Sequence, residues 1–238
     1  SHTGSFRITG TRADGSRVIL PLDVQVNITP PAAARLPLYL PIVSTGAFSA
    51  WEYPGPAGRT VHRLSGSASV GITLPFTLTL KGQTLTTGRL FADGFVTLPA
   101  TTGVSSLPNQ CLPNLVRPAV GLYGWWADLD PGTGQGTIST FQTTTGRFVV
   151  EYADIPAAPA ANSPYRVSFQ IVLQANGRVE LNYGRVPPVG DGPPPVTIGV
   201  RAADGRFYNQ VACITSTTEL GALPRTHERL IFNPEDFY

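Results

Sequence analysis

The tract Asp128-Leu129-Asp130-Pro131-Gly132-Thr133-Gly134-Gln135-Gly136 sets two carboxylates at i and i+2 ahead of several glycines. Carboxylates, joined by backbone carbonyls that glycine leaves free, suit a hard cation such as calcium. The bidentate glutamate that closes an EF-hand loop is missing. Calcium at Asp128 and Asp130 therefore competes with a plainer role, in which both side chains accept turn amides and hold the loop. A second candidate is aromatic. Trp51, Trp125 and Trp126, with Tyr123, have the chemistry of a sugar-stacking platform. Adjacent residues of a strand point to opposite faces. At most one of Trp125 and Trp126 is then expected wholly inside a core, the other covering a loop or meeting a partner.

Hydrolytic chemistry finds little support. His2, His62 and His227 are isolated, and no Gly-x-Ser-x-Gly elbow is present. Glu52, Glu151 and Glu180 lie in separate elements, which argues against a glycosidase pair. No glycine-rich phosphate loop precedes a helix. Cys111 and Cys213 are far apart and have no neighbouring histidine, so zinc is unsupported. They read either as one disulfide or as two unpaired thiols. As a disulfide they would close a long loop and contribute about 4 kcal/mol in the chain-entropy model.

Composition narrows the function further. Of the 17 basic residues all but Lys81 are arginine, and they form no run, while the net charge is only +2. Nucleic acid and other polyanionic partners therefore lack an electrostatic footprint. Charged residues make up 13% of the chain, about half the ordinary share. No apolar stretch of about 18 residues exists to span a membrane as a helix.

The elements that must position these residues read as short strands. Residues 5–28 form a hairpin turning at Asp14-Gly15. A proline-rich spacer, 29–37, follows and places a domain boundary near residue 36. Pro75 interrupts the run from Ala68 to Leu80 and predicts an edge strand or a bulge. A further turn falls at Asp93-Gly94. Residues 100–119 read as a long loop that carries Cys111.

The stretch 165–184 is the best specified. Tyr165, Val167, Phe169, Ile171 and Leu173 share one face, and Arg166, Ser168, Gln170 and Gln174 share the other. Matching apolar faces sets Leu173 opposite Val179 and Ile171 opposite Leu181. That leaves a loop at Ala175-Asn176-Gly177, with glycine supplying the left-handed position. In the last hairpin, the same logic gives a two-residue turn at Asp204-Gly205 and points Cys213 inward beside Val196. No helix of useful length is predicted. The chain reads as all-β, an antiparallel β-sandwich in which one side of each strand pair is buried and the other faces water.

From residue 90 to 213 the motif order is specific. Phe91-Ala92-Asp93-Gly94-Phe95-Val96 comes first, then Trp125-Trp126-Ala127-Asp128-Leu129-Asp130. Gly146-Arg147-Phe148-Val149-Val150-Glu151-Tyr152 follows, then the 165–173 strand and its Asn-Gly turn. Val196-Thr197-Ile198-Gly199-Val200 with Asp204-Gly205 closes the series. This order resembles the nidogen-like extracellular domain. It is also similar to a β-rich module in the C-terminal parts of secreted bacterial subtilisin-like serine proteases, where the module follows immunoglobulin-like domains.

The resemblance implies residues 1–36 as the end of an immunoglobulin-like domain plus linker, and 37–238 as the sandwich. It implies a secreted or cell-surface location, which favours the disulfide. It implies an accessory or binding role, with a glycan, a protein substrate or the parent's own catalytic domain as partner. Any serine endopeptidase activity would belong to the parent, because the protease's signatures around its Asp, His and Ser are absent here. A carbohydrate-binding or adhesion module is the alternative, and an independent hydrolase the outsider. Residues 37–90 carry no resemblance.

Overall fold

The computed structural model describes residues 2–11, 17–26, 42–45, 51–80, 82–101, 109–113, 119–133, 136–156, 165–187, 195–215 and 219–237. The chain divides into two units, Ser1–Leu38 and Tyr39–Tyr238. In the first, β1 (His2–Thr11) and β2 (Arg17–Val26) pair antiparallel, with Phe6 opposite Leu22 and Ile8 opposite Leu20. The expected turn at Asp14-Gly15 and the proline-rich spacer lie outside the described residues.

The second unit contains β3 (Ile42–Thr45), β4 (Arg59–His62), β5 (Ser69–Leu80), β6 (Gln83–Phe91), β7 (Phe95–Leu98) and β8 (Val120–Trp126). It continues with β9 (Thr137–Gln142), β10 (Phe148–Pro156), β11 (Arg166–Leu173) and β12 (Val179–Arg185). Last come β13 (Val196–Arg201), β14 (Tyr208–Ile214), β15 (Glu219–Gly221) and β16 (Glu228–Phe232). The only helical pieces among the described residues are 3-10 turns at Pro131–Thr133 and Pro234–Phe237.

Two antiparallel sheets result, with strand orders β3-β16-β12-β11-β10-β9-β4 and β15-β14-β13-β8-β7-β6-β5. We refer to them as the first and second sheet. Alternating apolar residues of both sheets meet in a continuous core that includes Leu90, Leu122, Trp125, Val150, Phe169, Leu181 and Ile198. Two phenols fasten the sheets to each other. Tyr152 of β10 donates to the Phe91 carbonyl at 2.6 Å, and Tyr183 of β12 donates to the Gly124 carbonyl at 2.8 Å. Buried Tyr hydroxyls need such partners. Tyr152 also stacks on Phe169, ring centroids 4.4 Å apart.

Local sequence explains several details. Leu173 faces Val179 and Ile171 faces Leu181, as the alternation requires. Gln174 and Arg178 close the turn, and Gly177 takes φ +88°. β5 is an edge strand, and its pairing with β6 shifts between Thr73 and Leu78, around Pro75.

The β13–β14 hairpin departs from the expected register. Near the turn the pairing runs as alternation predicts, with Val200 opposite Asn209. Beyond it the register shifts between Ile198 and Gly199, so Cys213 pairs with Thr197, not Val196. Gly199 has φ +152°, and a Cβ there would lie 2.2 Å from the Asn209 carbonyl oxygen. A bulge of this kind leaves one residue unopposed and flips every later side chain. Cys213 is fully buried, but on the outer face of the second sheet.

The expectation of wet outer faces holds along β5 and β6, where buried and exposed residues alternate, and is overturned over the central strands. On the first sheet, Ser139, Glu151, Gln170, Val172, Glu180 and Asn182 are all buried. On the second, Phe95, Thr97, Tyr123, Trp126, Thr197 and Arg201 are buried too. Polar alternation does mark the face that points away from the main core. It does not mark water, because polar groups can be buried wherever partners meet their hydrogen bonds.

Candidate functional site

Most of the polar chemistry gathers on the outer face of the first sheet, where it joins residues remote in sequence. The segment beginning at Trp51 lies across this face. The Gln170 side-chain amide holds it from both sides. Gln170 Oε1 accepts the Glu52 backbone N–H, and Nε2 donates to the Glu52 carbonyl, both at 2.9 Å. Gln170 Nε2 also donates to Glu151 Oε2 at 2.9 Å. Gly55 extends the attachment by donating its N–H to the Gln142 carbonyl. Arg59 of β4 pairs with Glu151 at 2.5 Å and lies over the Phe141 ring.

A second carboxylate anchors the other half. Glu180 is completely buried. Its Oε1 accepts from Gln174 Nε2 at 2.9 Å and lies 3.0 Å from Arg178 Nε. Its Oε2 faces Arg229 Nε at 3.5 Å and Arg147 Nη1 at 3.7 Å. Arg147 also bonds Glu52 at 2.5 Å, which links the two halves. Glu52, Glu151 and Glu180 thus share one face although their elements are separate in sequence. Only the strand order β16-β12-β11-β10-β9-β4 brings their arginine partners to them.

This cluster is suited to holding charge, not to moving protons. A general base needs lone pairs free to take a substrate proton. Here the lone pairs of Glu151 go to Arg59, Gln170 and Ser139, and those of Glu180 face three guanidinium groups and one amide. His62 of β4 is half-buried, which lowers its pKa, and its Nε2 lies 2.9 Å from the Thr140 hydroxyl. No carboxylate orients its ring among the described residues.

The residues singled out from the sequence take other positions. Trp125 and Trp126 are both fully buried, so neither offers an open stacking face. Trp125 lies in the inter-sheet core, as one of the pair should. Trp126 points outward and joins Phe91, Phe95, Tyr123 and Leu112 in a separate cluster. Rings there stand 4.2 Å apart for Phe91 and Phe95 and 5.2 Å for Tyr123 and Trp126. The segment around Cys111 roofs them. The Cys111–Cys213 disulfide pins that roof, and Leu112 N donates to Gln210 Oε1 at 2.7 Å. Asn109 Nδ2 donates to Thr197 Oγ1 and to the Ile214 carbonyl, each at 3.2 Å. Trp51 is half-buried, its indole against the backbone of Gly184. Burial takes Trp125 and Trp126 out of the expected sugar platform, and Trp51 is the one of the three that keeps part of its surface open. The rings stacked around Trp126 form a roofed satellite core.

The aspartate tract borders a groove of about 510 Å³, lined among others by His62, Arg63, Ser65, Pro131, Gly132 and Thr137. Asp128 is exposed, and Asp130 Oδ1 accepts the Gly132 N–H at 3.0 Å. Asp130 N in turn donates to the Pro156 carbonyl. Gly136 packs so tightly that a Cβ would meet the Asp154 carbonyl oxygen at 2.5 Å. Asp154 takes a left-handed φ of 54° in the β10 irregularity, held by Arg166 at 2.9 Å and Arg185 at 2.8 Å. Hydrogen bonding from Arg166 leads the causes that depress its carboxyl pKa. Among the described residues no group of three His, Cys, Asp or Glu assembles as a metal cage.

The family model described as "NIDO related" matches residues 41–234. The match includes the stretch before residue 90, which carries no resemblance by its motifs. Nothing matches among the curated proteins or among the solved structures.

Proposed function

The chain belongs to the NIDO-related family, and from that premise we propose a non-catalytic extracellular accessory domain in the C-terminal region of a secreted subtilisin-like protease or a surface protein. NIDO-related domains are extracellular, and the Cys111–Cys213 disulfide suits an oxidising compartment. Its work is attachment or spacing. It holds the parent's catalytic unit at a surface or near its protein substrate. Residues 1–36 then close a preceding immunoglobulin-like domain and supply the linker, and residues 37–238 form the working domain.

The single observation that carries this reading is how the buried carboxylates are used. Glu151 and Glu180 are matched to arginines and amides on a sheet face. That arrangement supports a stabilising role for these two carboxylates over an acid-base one. The reading is tested by fusing the whole chain to a fluorescent reporter and adding it to intact cells of the source organism. We expect fluorescence to stay on the cell surface through washing. Complete recovery of the fusion in the wash contradicts attachment.

A further inference from the structure

We infer that Arg147, Arg178 and Arg229 form an oxyanion-binding site, one that takes the carboxylate or sulfate groups of an acidic polysaccharide. This rests on the attachment role just described and names its ligand.

In sequence the three arginines lie far apart and leave no basic run. The first sheet brings them to one carboxylate, with nitrogens 3.7, 3.0 and 3.5 Å from the Glu180 oxygens. Three guanidinium groups against Glu180 and Glu52 leave one positive charge in excess. Hydrogen bonding within the cluster is also incomplete. Arg178 Nε and Arg229 Nε are buried against Glu180 as ion pairs at 3.0 and 3.5 Å, without hydrogen-bond geometry. Glu180 thus draws the heads together by charge, through Nε of Arg178 and Arg229 and Nη1 of Arg147.

The side chains stay partly open to solvent, at 31% for Arg147, 34% for Arg178 and 27% for Arg229. A guanidinium offers its donors as a planar fork that fits carboxylate and sulfate in pairs. A fork held in place by a buried counter-charge loses little side-chain freedom on binding. The heads lie on the outer sheet face beside the Trp51 segment, partly open to solvent, so the fitting ligand displays its anion on a chain. For an extracellular domain, an acidic polysaccharide supplies such groups in series.

The test is titration calorimetry of the whole chain at matched ionic strength. The ligands are a heparin-derived hexasaccharide, a hexagalacturonate, neutral maltohexaose, inorganic sulfate and polyglutamate. We expect at least one acidic oligosaccharide to bind and maltohexaose not to bind. Arg178→Gln with Arg229→Gln should weaken that binding about tenfold or more, the scale of one lost charge-assisted hydrogen bond. Arg185→Gln, which removes the same charge beside Asp154, should leave it within about twofold. No acidic ligand binding, equal loss in the Arg185 control, or polyglutamate binding as tightly as the oligosaccharides overturns the site as assigned. Binding of inorganic sulfate without gain for either oligosaccharide overturns the polysaccharide.

A second readout needs no variant. Phenylglyoxal should modify Arg178 and Arg229 more slowly with the bound oligosaccharide present, as read by peptide mass spectrometry. Unchanged rates overturn the proposal. Failure here leaves the accessory-domain reading standing, whereas surface retention that survives loss of these arginines shows attachment by another patch.

Discussion

Single residues carry most of what the alternation pattern could not show. Glu180 sits at zero exposure because three arginines and Gln174 surround it, and sequence spacing gives no hint of that convergence. Replacing it with alanine takes the facing carboxylate from the partly buried Arg178 and Arg229, while Arg147 keeps Glu52. We expect Glu180→Ala to cost about 1–3 kcal/mol in urea unfolding, less than a fully buried pair because the arginines reach solvent. A change under about 0.5 kcal/mol would show the cluster to be ornamental to the fold. Asp130 has a humbler role, accepting the Gly132 amide within its own loop. Asp130→Ala should lower stability by about 1 kcal/mol, the ordinary net worth of a hydrogen bond, whether calcium or chelator is present. A calcium-dependent rise in Tm that Asp128→Asn abolishes would instead establish the cation site raised by the sequence.

Strands and turns were legible wherever one face had to be apolar. The β11–β12 register follows residue by residue from the alternation of 165–183, and Pro75 marks its bulge and edge strand correctly. β13–β14 failed by one residue, because a bulge at Gly199 costs nothing that hydrophobic periodicity records. That slip decides where the disulfide goes. Cys213 faces outward and ties the Leu112 roof over Trp126. Replacing both cysteines with alanine should therefore destabilise the domain by about 2–5 kcal/mol. It should also open Trp126 to acrylamide quenching, with Trp125 still shielded between the sheets. Unchanged quenching would mean that the roof holds without its pin. The two inter-sheet phenols make a separate prediction. Burial raises the pKa of Tyr152 and of Tyr183 well above 10, with Asp93 adding to the first and Glu228 to the second. The folded state then keeps protons that the unfolded state releases above about pH 10. Stability contributed by these groups is present below that pH and falls as pH rises beyond it. In a titration at 295 nm, Tyr152 and Tyr183 should ionise only as the chain unfolds, and Tyr152→Phe should remove one such late step. Reversible ionisation of both below the unfolding transition would contradict the buried arrangement.

At the scale of the whole molecule, the sandwich is one layer thicker on each side than binary patterning implies. The Trp51 segment covers one outer face and the Cys111 roof the other, each using the polar side of the alternation as its anchor. All-β architecture and the family were readable because they depend on strand spacing and one ordered set of motifs. The charged cluster was not, because it depends on which strands become neighbours. On the proposed reading, a face built this way presents fixed charge to a partner instead of a reaction centre to a substrate. The most direct measurement is turnover by the whole purified chain, on casein and on chromogenic peptide, ester and glycoside substrates. The account predicts no product beyond that of the heat-denatured chain. Product formation that Glu151→Gln or Glu180→Gln abolishes, in a variant that still melts cooperatively, would contradict it.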